Sequence, residues 1–243
     1  MSTNVYNSSG PALPAIRYTW TGLRTLRSTW VLTGLVVLLQ LCFALVDNRT
    51  GTTGTQQFTK GLSLMLLLTS VPIVALGVNA FGMEYRHRTI TTTILTLGSR
   101  AWIVTAKALV VAAFGVLTAG IAAGVDYLCV LTIGHASPDP KRALVAACTA
   151  VLYVMLSGLV GLALAGLTKN SVVALSVAVL WPGVVEPLLI SALRLDPQVV
   201  PFTAAKLLAQ TPADAHGYDV LPLLVLTVLL LAGSALSLSQ RDV

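Results

Sequence analysis

The side chains best suited to chemistry cluster in the gap between two long apolar runs of the sequence. The candidate residues in this gap and at its edges are Glu84, Arg86, Arg88, Thr89, Ser99, Arg100 and Lys107. On a helix, Glu84 can pair with Arg88 at a spacing of four residues. Arginine side chains also bind lipid phosphates or the acidic groups of a partner protein. The pattern predicts a charged element at a membrane surface that couples to a partner, with topology-determining charges as the simpler alternative.

Two acidic residues, Asp126 and Glu186, lie inside apolar runs. Asp126 is about five helical turns from Lys107, at a rise of ~1.5 Å per residue, which places it near the opposite membrane surface. Ionisable groups at membrane depth usually face a bundle interior or a cavity. Both acids are therefore candidates for lining a transport path or its exit. The alternative is a structural role, as the partner of a backbone amide or of a nearby arginine.

The sequence contains no pattern typical of a catalytic, metal or cofactor site. It has no Gly-Lys pair, so the phosphate-binding loop of many ATPases is absent. His87, His135 and His216 are scattered and form no His-Glu-x-x-His motif. Acid–base catalysis needs partners held at hydrogen-bond distance, and the sequence pattern places none beside either acid. We therefore expect that this chain is not an enzyme.

The composition is that of a membrane protein. Hydrophobic residues make up 56% of the 243 residues and charged residues 10%, whereas soluble domains average about 25% charged residues. A membrane-spanning helix needs ~20 mostly apolar residues, and backbone groups in lipid must bond within their own segment. The sequence therefore predicts an all-α polytopic fold with six transmembrane helices, at Val31–Val46, Gly61–Met83, Ala108–Ile133, Ala143–Leu167, Ser171–Leu193 and Val220–Leu238.

The basic residues predict the orientation of these spans. Nine of the fifteen Lys and Arg residues fall on one side of the membrane: Arg17, Arg24, Arg27, Arg86, Arg88, Arg100, Lys107, Lys169 and Arg241. Because basic residues are enriched on the cytoplasmic side, we expect both termini in the cytoplasm. The formal net charge of +6 then reflects membrane topology, and nucleic acid is not an expected partner. Residues 1–14 are polar, so we expect no cleavable secretory signal.

The first thirty residues divide into two parts. Residues 1–14 predict a disordered cytoplasmic tail. On a helix over residues 15–30, the aromatic and basic residues form an amphipathic surface: Arg17, Trp20, Arg24, Arg27 and Trp30. Such a surface is typical of an interfacial helix in the inner headgroup layer. The alternative is a simple inward extension of the first span.

Proline and glycine interrupt the fifth predicted span. Pro182, Gly183 and Pro187 fall within it, and each proline removes a hydrogen-bond donor. Non-helical backbone at membrane depth is tolerated only where protein or water covers it. We therefore expect a helix break near the outer end of this span. The outer loop that follows contains a short predicted helix that begins at Pro201.

Small residues recur in the third and fourth predicted spans. Gly120 and Gly124 lie four residues apart in the third span, and Gly158 and Gly161 lie three apart in the fourth. Small residues on one face let helices approach closely. The pattern fits both packing within the chain and a contact between two chains.

The stretch from Glu84 to Lys107 resembles the signature region of ABC-2 type transporter permeases. The family pattern has a Glu at the inner end of the second span and a basic, Thr-rich helix, followed by Ser-Arg and by a Lys that opens the third span. Those positions are Glu84, Arg86, Arg88, Thr89, Ser99, Arg100 and Lys107 here. A proline commonly precedes the Ser-Arg pair in the family, and this chain has Gly98 instead. The six spans, the amphipathic N-terminal helix and the interrupted fifth span extend the resemblance from residue 15 to the C-terminus.

The resemblance implies a single ABC-2 type transmembrane domain over residues 15–243, in a bacterial plasma membrane. Such a permease pairs with a second copy or a paralogue into a twelve-span dimer. A separate cytoplasmic ATPase subunit binds ATP and Mg²⁺, and it docks on the interfacial helix and on a coupling helix between the second and third spans. The implied activity is export. Sparse charge in the spans favours a hydrophobic or amphiphilic cargo, such as a drug, a lipid or a peptide.

Two other functions remain open from the sequence. A stand-alone secondary carrier would need paired membrane charges or inverted repeats, and neither is visible. A non-transporting membrane scaffold would tolerate substitution of Asp126 and Glu186.

Overall fold

The chain folds into a bundle of helices in the computed structural model, which describes residues 27–47, 54–86, 100–133, 137–210 and 217–239. These residues are almost entirely helical, and no strand occurs among them. In chain order the helices are α1 (Arg27–Asp47), α2 (Gly54–Arg86), α3 (Arg100–Ile133), α4 (Pro140–Thr168), α5 (Ser171–Leu180), a π-helical turn (Trp181–Val185), α6 (Glu186–Leu193), α7 (Pro201–Gln210), a 3-10 turn (Gly217–Val220) and α8 (Leu221–Ser239). The prediction of an all-α fold is confirmed.

Three helical segments are long and apolar enough to cross a membrane: Val104–Ile133, Pro140–Thr168 and Ser171–Leu193. Shorter apolar stretches lie in α1, α2 and α8, at Thr33–Cys42, Thr69–Phe81 and Leu221–Ser237. The outer surface of the bundle is rich in leucine and valine, as at Leu128 and Val172, which are 60% and 72% exposed. An apolar surface of this extent suits lipid better than water. The described chain therefore has the character of a membrane protein.

Helices α2 and α4 cross with their backbones in close contact. A Cβ atom built on Gly77 would overlap the carbonyl oxygen of Gly158, and one built on Gly161 would lie 2.7 Å from the carbonyl oxygen of Val74. The glycines of α4 therefore serve packing within the chain. Helix α4 also contacts α3, α5, α7 and α8, so it lies at the centre of the bundle.

Gly120 and Gly124 of α3 show no such close contact in the part of the chain that the structure describes. Nothing lies within 4 Å of a Cβ atom built on Gly120 or Gly124. Both glycines line an open apolar cavity of about 560 Å³, together with Phe58 of α2 and residues of α4. A contact with a second chain at this face stays a prediction.

A two-residue turn connects α4 to α5. Lys169 adopts a left-handed conformation, with a φ of 54°, and its amide donates to the carbonyl oxygen of Ala165 at 3.0 Å. Asn170 then caps α5, because its side chain accepts a hydrogen bond from the amide of Val172 at 3.0 Å. The two caps fix α4 and α5 as antiparallel neighbours.

Several helices begin earlier than hydropathy predicts. The structure starts α1, α2 and α3 at Arg27, Gly54 and Arg100, whereas the sequence predicts spans from residues 31, 61 and 108. The reason is that polar residues such as Gln57 are good helix formers, so a helix extends beyond its apolar part.

The predicted tail and most of the predicted interfacial helix, including Arg17, Trp20 and Arg24, lie outside the described residues. Trp30, in the first turn of α1, is exposed.

Candidate functional site

The prolines that predict a helix break lie in and beside a π-helical turn, Trp181–Val185. The turn joins α5 to α6, and the amide of Glu186 donates to the carbonyl oxygen of Trp181, five residues back. Proline has no amide hydrogen to give, and π turns inside helices frequently occur at functional sites. The break expected at Pro182 and Pro187 is corrected accordingly: the helix widens there, and its path continues to the end of α6.

The carboxylate of Glu186 binds the first turn of α7. Its Oε1 accepts a hydrogen bond from the amide of Phe202 at 3.1 Å, and its Oε2 accepts from the amide and the hydroxyl of Thr203 at 2.8 and 2.9 Å. The first amides of a helix have no partner within the helix, and a negative group there also complements the helix dipole. Glu186 is 0% exposed. Of the two roles that the sequence leaves open, the geometry shows the structural one.

A cavity of about 570 Å³ opens between α2, α4, the π-helical turn, α6 and α7. Most of its wall is apolar and includes Gly183 of the π-helical turn. Its polar lining residues are Ser70, Tyr153, Ser157, Ser191, Thr203 and Lys206. Small-molecule sites typically have volumes of roughly 300–1,000 Å³ with few polar groups. This cavity, called the α7 cavity below, is therefore the candidate site for a ligand.

Helix α7 is held in place from two sides. Glu186 binds its first turn, and the ring of Phe202 packs edge-on against the ring of Tyr153 in α4, with centroids 6.2 Å apart. Thr203 and Lys206 are three residues apart, so they share a helix face, and both line the α7 cavity. The buried contacts of α7 thus orient a lysine toward the cavity.

Asp126 lies in a separate buried contact between α2 and α3. Any side chain at Gly61 would overlap the carboxyl group of Asp126. The carbonyl oxygen of the same glycine accepts a hydrogen bond from Nε2 of Gln40 in α1 at 3.2 Å. Asp126 is 1% exposed and is not among the residues that line the α7 cavity. Asp126 therefore occupies a junction of three helices. Its role in lining a transport path stays a prediction.

Lys107 joins α2 to α3 and is 2% exposed. Its Nζ donates to the carbonyl oxygen of Ala80 at 2.7 Å and lies 4.1 Å from the centroid of the Phe81 ring. A buried ammonium group is stable only with such partners. Because α3 begins at Arg100, Lys107 lies two turns inside the helix. The contact of Lys107 with an ATPase subunit, which the family resemblance implies, stays a prediction.

The remaining predicted coupling residues lie at the edges of the described chain. Glu84 and Arg86 belong to the last turn of α2, and Arg100 begins α3. The other three, Arg88, Thr89 and Ser99, lie outside the described residues with most of the predicted coupling helix. Helices α2 and α3 contact each other, so the two ends of the stretch belong to neighbouring helices.

The sequence interpretation missed the polar lining of the α7 cavity, above all Lys206. A signal was present in the isolated hydroxyl residues at membrane depth, such as Ser157, because polar groups there need a partner. Ser157 satisfies this need locally, since its Oγ donates to the carbonyl oxygen of Tyr153 at 2.8 Å. The position of Lys206 depends on how α7 folds back, which no local pattern specifies.

Within the described residues, no group of three or more His, Cys, Asp or Glu side chains could hold a metal ion. No protein-family model matches the chain, and no curated protein is significantly similar to it.

Proposed function

We propose that this chain is the permease subunit of an ATP-driven exporter of the ABC-2 type, in a bacterial plasma membrane. In this proposal six segments cross the bilayer: α1, α2, α3, α4, the continuous α5–α6 path and α8. Both termini are cytoplasmic. A second copy or a paralogue completes the translocation path, and a separate ATPase subunit supplies ATP hydrolysis with its own Mg²⁺.

The course of α2 is the observation that supports this proposal most. This helix runs from Gly54 to Arg86 and carries Glu84 and Arg86 of the family-like stretch at one end. In its middle it contributes four residues to the wall of the α7 cavity: Leu66, Ser70, Val71 and Val74. Pro72 lies among them and removes one intrahelical hydrogen bond. A force applied at the charged end would therefore act on the cavity wall.

The contacts of α2 would distribute such a force over the bundle. Lys107 ties α3 to the inner part of α2 through Ala80. Gly77 brings the backbone of α2 against α4. We expect the inner parts of α2, α3 and α4 to move together, because close-packed interfaces shift as units.

The α7 cavity supports a hydrophobic or amphiphilic cargo. Its wall is mostly apolar, and it contains hydroxyl groups and one lysine. A strongly polar solute would leave most of this wall without suitable partners, whereas an apolar chain would bury surface against it. The drug, lipid and peptide classes that the sequence suggests remain the proposed cargo.

Charge reversal in the family-like stretch tests the proposed coupling. In the complex with the ATPase subunit, R86E and R88E are expected to preserve ATP hydrolysis and to abolish cargo transport into inverted vesicles. The matched control is K60E, because Lys60 is an exposed basic residue near the opposite end of α2. Transport at the wild-type rate in both R86E and R88E would contradict the coupling role.

A further inference from the structure

The charge of the α7 cavity points to the chemistry of its ligand. Among the described residues that line the cavity, Lys206 is the only charged one. It is exposed, and none of the described acidic side chains forms a salt bridge with it. An ammonium group of this kind can bind an incoming carboxylate or phosphate without giving up a protein partner.

Glu186, which lies next to the lining residue Pro187, cannot serve as a counter-charge for a cationic ligand. Its two oxygens accept three hydrogen bonds from the first turn of α7. It is fully buried and is not among the lining residues. Among the described lining residues, a cation would therefore meet Lys206, which repels it, and no carboxylate.

Three hydroxyl groups of the wall have acceptors within the protein, and Lys206 is the charged donor among the described lining residues. Ser157 donates to Tyr153, Ser191 donates to the carbonyl oxygen of Leu188 at 3.1 Å, and Thr203 donates to Glu186. Their hydrogens are thus engaged within the protein. Below this polar edge the wall is apolar, as at Leu66, Val74 and Ile190, which suits a hydrocarbon chain.

We propose that the α7 cavity binds an amphiphile with an acidic head group, with Lys206 binding the acid and the apolar wall holding the tail. The identification of this amphiphile as the transported substrate rests on the proposed function, whereas binding does not. The acid can belong to a free molecule, such as a fatty acid, or to the headgroup of an anionic membrane lipid.

The test is photolabelling of the full-length protein in nanodiscs of phosphatidylcholine, with a diazirine-bearing dodecanoic acid as the probe. Labelled peptides are mapped by mass spectrometry. Dodecanoate, dodecanol and dodecylamine serve as competitors of equal chain length. We expect saturable labelling of peptides that line the cavity, with dodecanoate competing about tenfold better than the alcohol or the amine.

Four variants distinguish the effect of the lysine charge from the effect of the cavity shape. The preference for dodecanoate should vanish in K206Q, persist in K206R and persist in K60Q, the matched exposed lysine on α2. G183L should abolish saturable labelling, because leucine adds bulk at a lining position where a Cβ atom meets nothing within 4 Å. Retention of the preference in K206Q, or saturable labelling that lies entirely outside the segments that line the cavity, would overturn the proposal.

A second set of nanodiscs distinguishes the sources of the acid. If added phosphatidylglycerol displaces the probe as well as dodecanoate does, the ligand is a membrane lipid; if it does not, the ligand is a free acid.

Failure of the proposed function would give a different result from failure of the proposed binding site. Selective binding by a protein without an associated ATPase would contradict the exporter function and support the binding site. ATP-driven transport without this selectivity would support the exporter function and contradict the binding site.

Discussion

Oε2 of Glu186 accepts two hydrogen bonds from Thr203, one from its amide at 2.8 Å and one from its hydroxyl at 2.9 Å. This pair ties the end of the π-helical turn to the start of α7, which lies beyond a loop in the chain. Because α7 carries Lys206, the pair also fixes the position of the cation at the α7 cavity. The position of Lys206 at the cavity therefore depends on Glu186, a buried carboxylate that does not line the cavity.

Replacing Glu186 by alanine should destabilise the protein strongly. The amides of Phe202 and Thr203 would lose their acceptors in a buried environment, and each orphaned donor costs about 1–3 kcal/mol. The free energy of unfolding, measured by denaturant titration in detergent, should fall by roughly that amount per amide. T203V keeps the amide and loses only the hydroxyl, so it should cost about 0.5–1.5 kcal/mol. A larger loss in T203V than in E186A would contradict this assignment.

Two glycine-to-alanine variants should behave in opposite ways. G161A forces a methyl group against the carbonyl oxygen of Val74, so it should cost about 1–3 kcal/mol through overpacking. G120A meets open space and should be neutral or stabilising by about 0.5–1 kcal/mol, because alanine favours a helix over glycine. Thermal unfolding of the two purified variants checks this difference. Equal destabilisation would show that α3 is close-packed at Gly120.

Gly61 and Asp126 should show strong energetic coupling. G61A forces a methyl group into the carboxyl group of Asp126, which should cost about 1–3 kcal/mol. In the double variant G61A/D126A the collision is absent, so the combined loss should be smaller than the sum of the two single losses. Unfolding free energies of the four proteins give the coupling directly. Strict additivity would mean that the two residues do not touch.

Lys107 and Phe81 should be coupled by about 0.5–2 kcal/mol, the range of a cation–π pair that is withdrawn from water. The Nζ atom lies 4.1 Å from the ring centroid. A double-mutant cycle of K107M and F81L, followed by denaturant unfolding, measures this term, because methionine keeps most of the apolar stem. K107M also loses the hydrogen bond to Ala80. This loss occurs both in the single variant K107M and in the double variant. A coupling near zero would contradict the stacked geometry.

The sequence predicts which segments are helical and is less accurate about where they begin. Apolar runs identify the helices because a span must satisfy its own backbone. The start of α3 at Arg100, eight residues before the predicted Ala108, cannot be read from hydropathy, since Trp102 and Lys107 interrupt the apolar run. This offset also explains why Lys107 is expected at a surface and lies inside the bundle.

Long-range contacts account for most of what the sequence leaves open at the candidate site. The partners of Glu186 lie sixteen and seventeen residues away, and no local spacing links them. The prolines near Glu186 do mark an irregular segment, but they do not distinguish a helix end from a widened turn. The short helix at Pro201 is confirmed as α7, because proline in the first turn is a local signal.

Affinity purification of the tagged protein from its native membrane in a mild detergent, with mass spectrometry of the associated chains, tests the central claim most directly. The account predicts a stoichiometric partner that carries a phosphate-binding loop, together with a second copy of this chain or another six-span chain. Recovery of the protein without such a partner, in several mild detergents, would contradict the claim that it is the permease of an ATP-driven exporter.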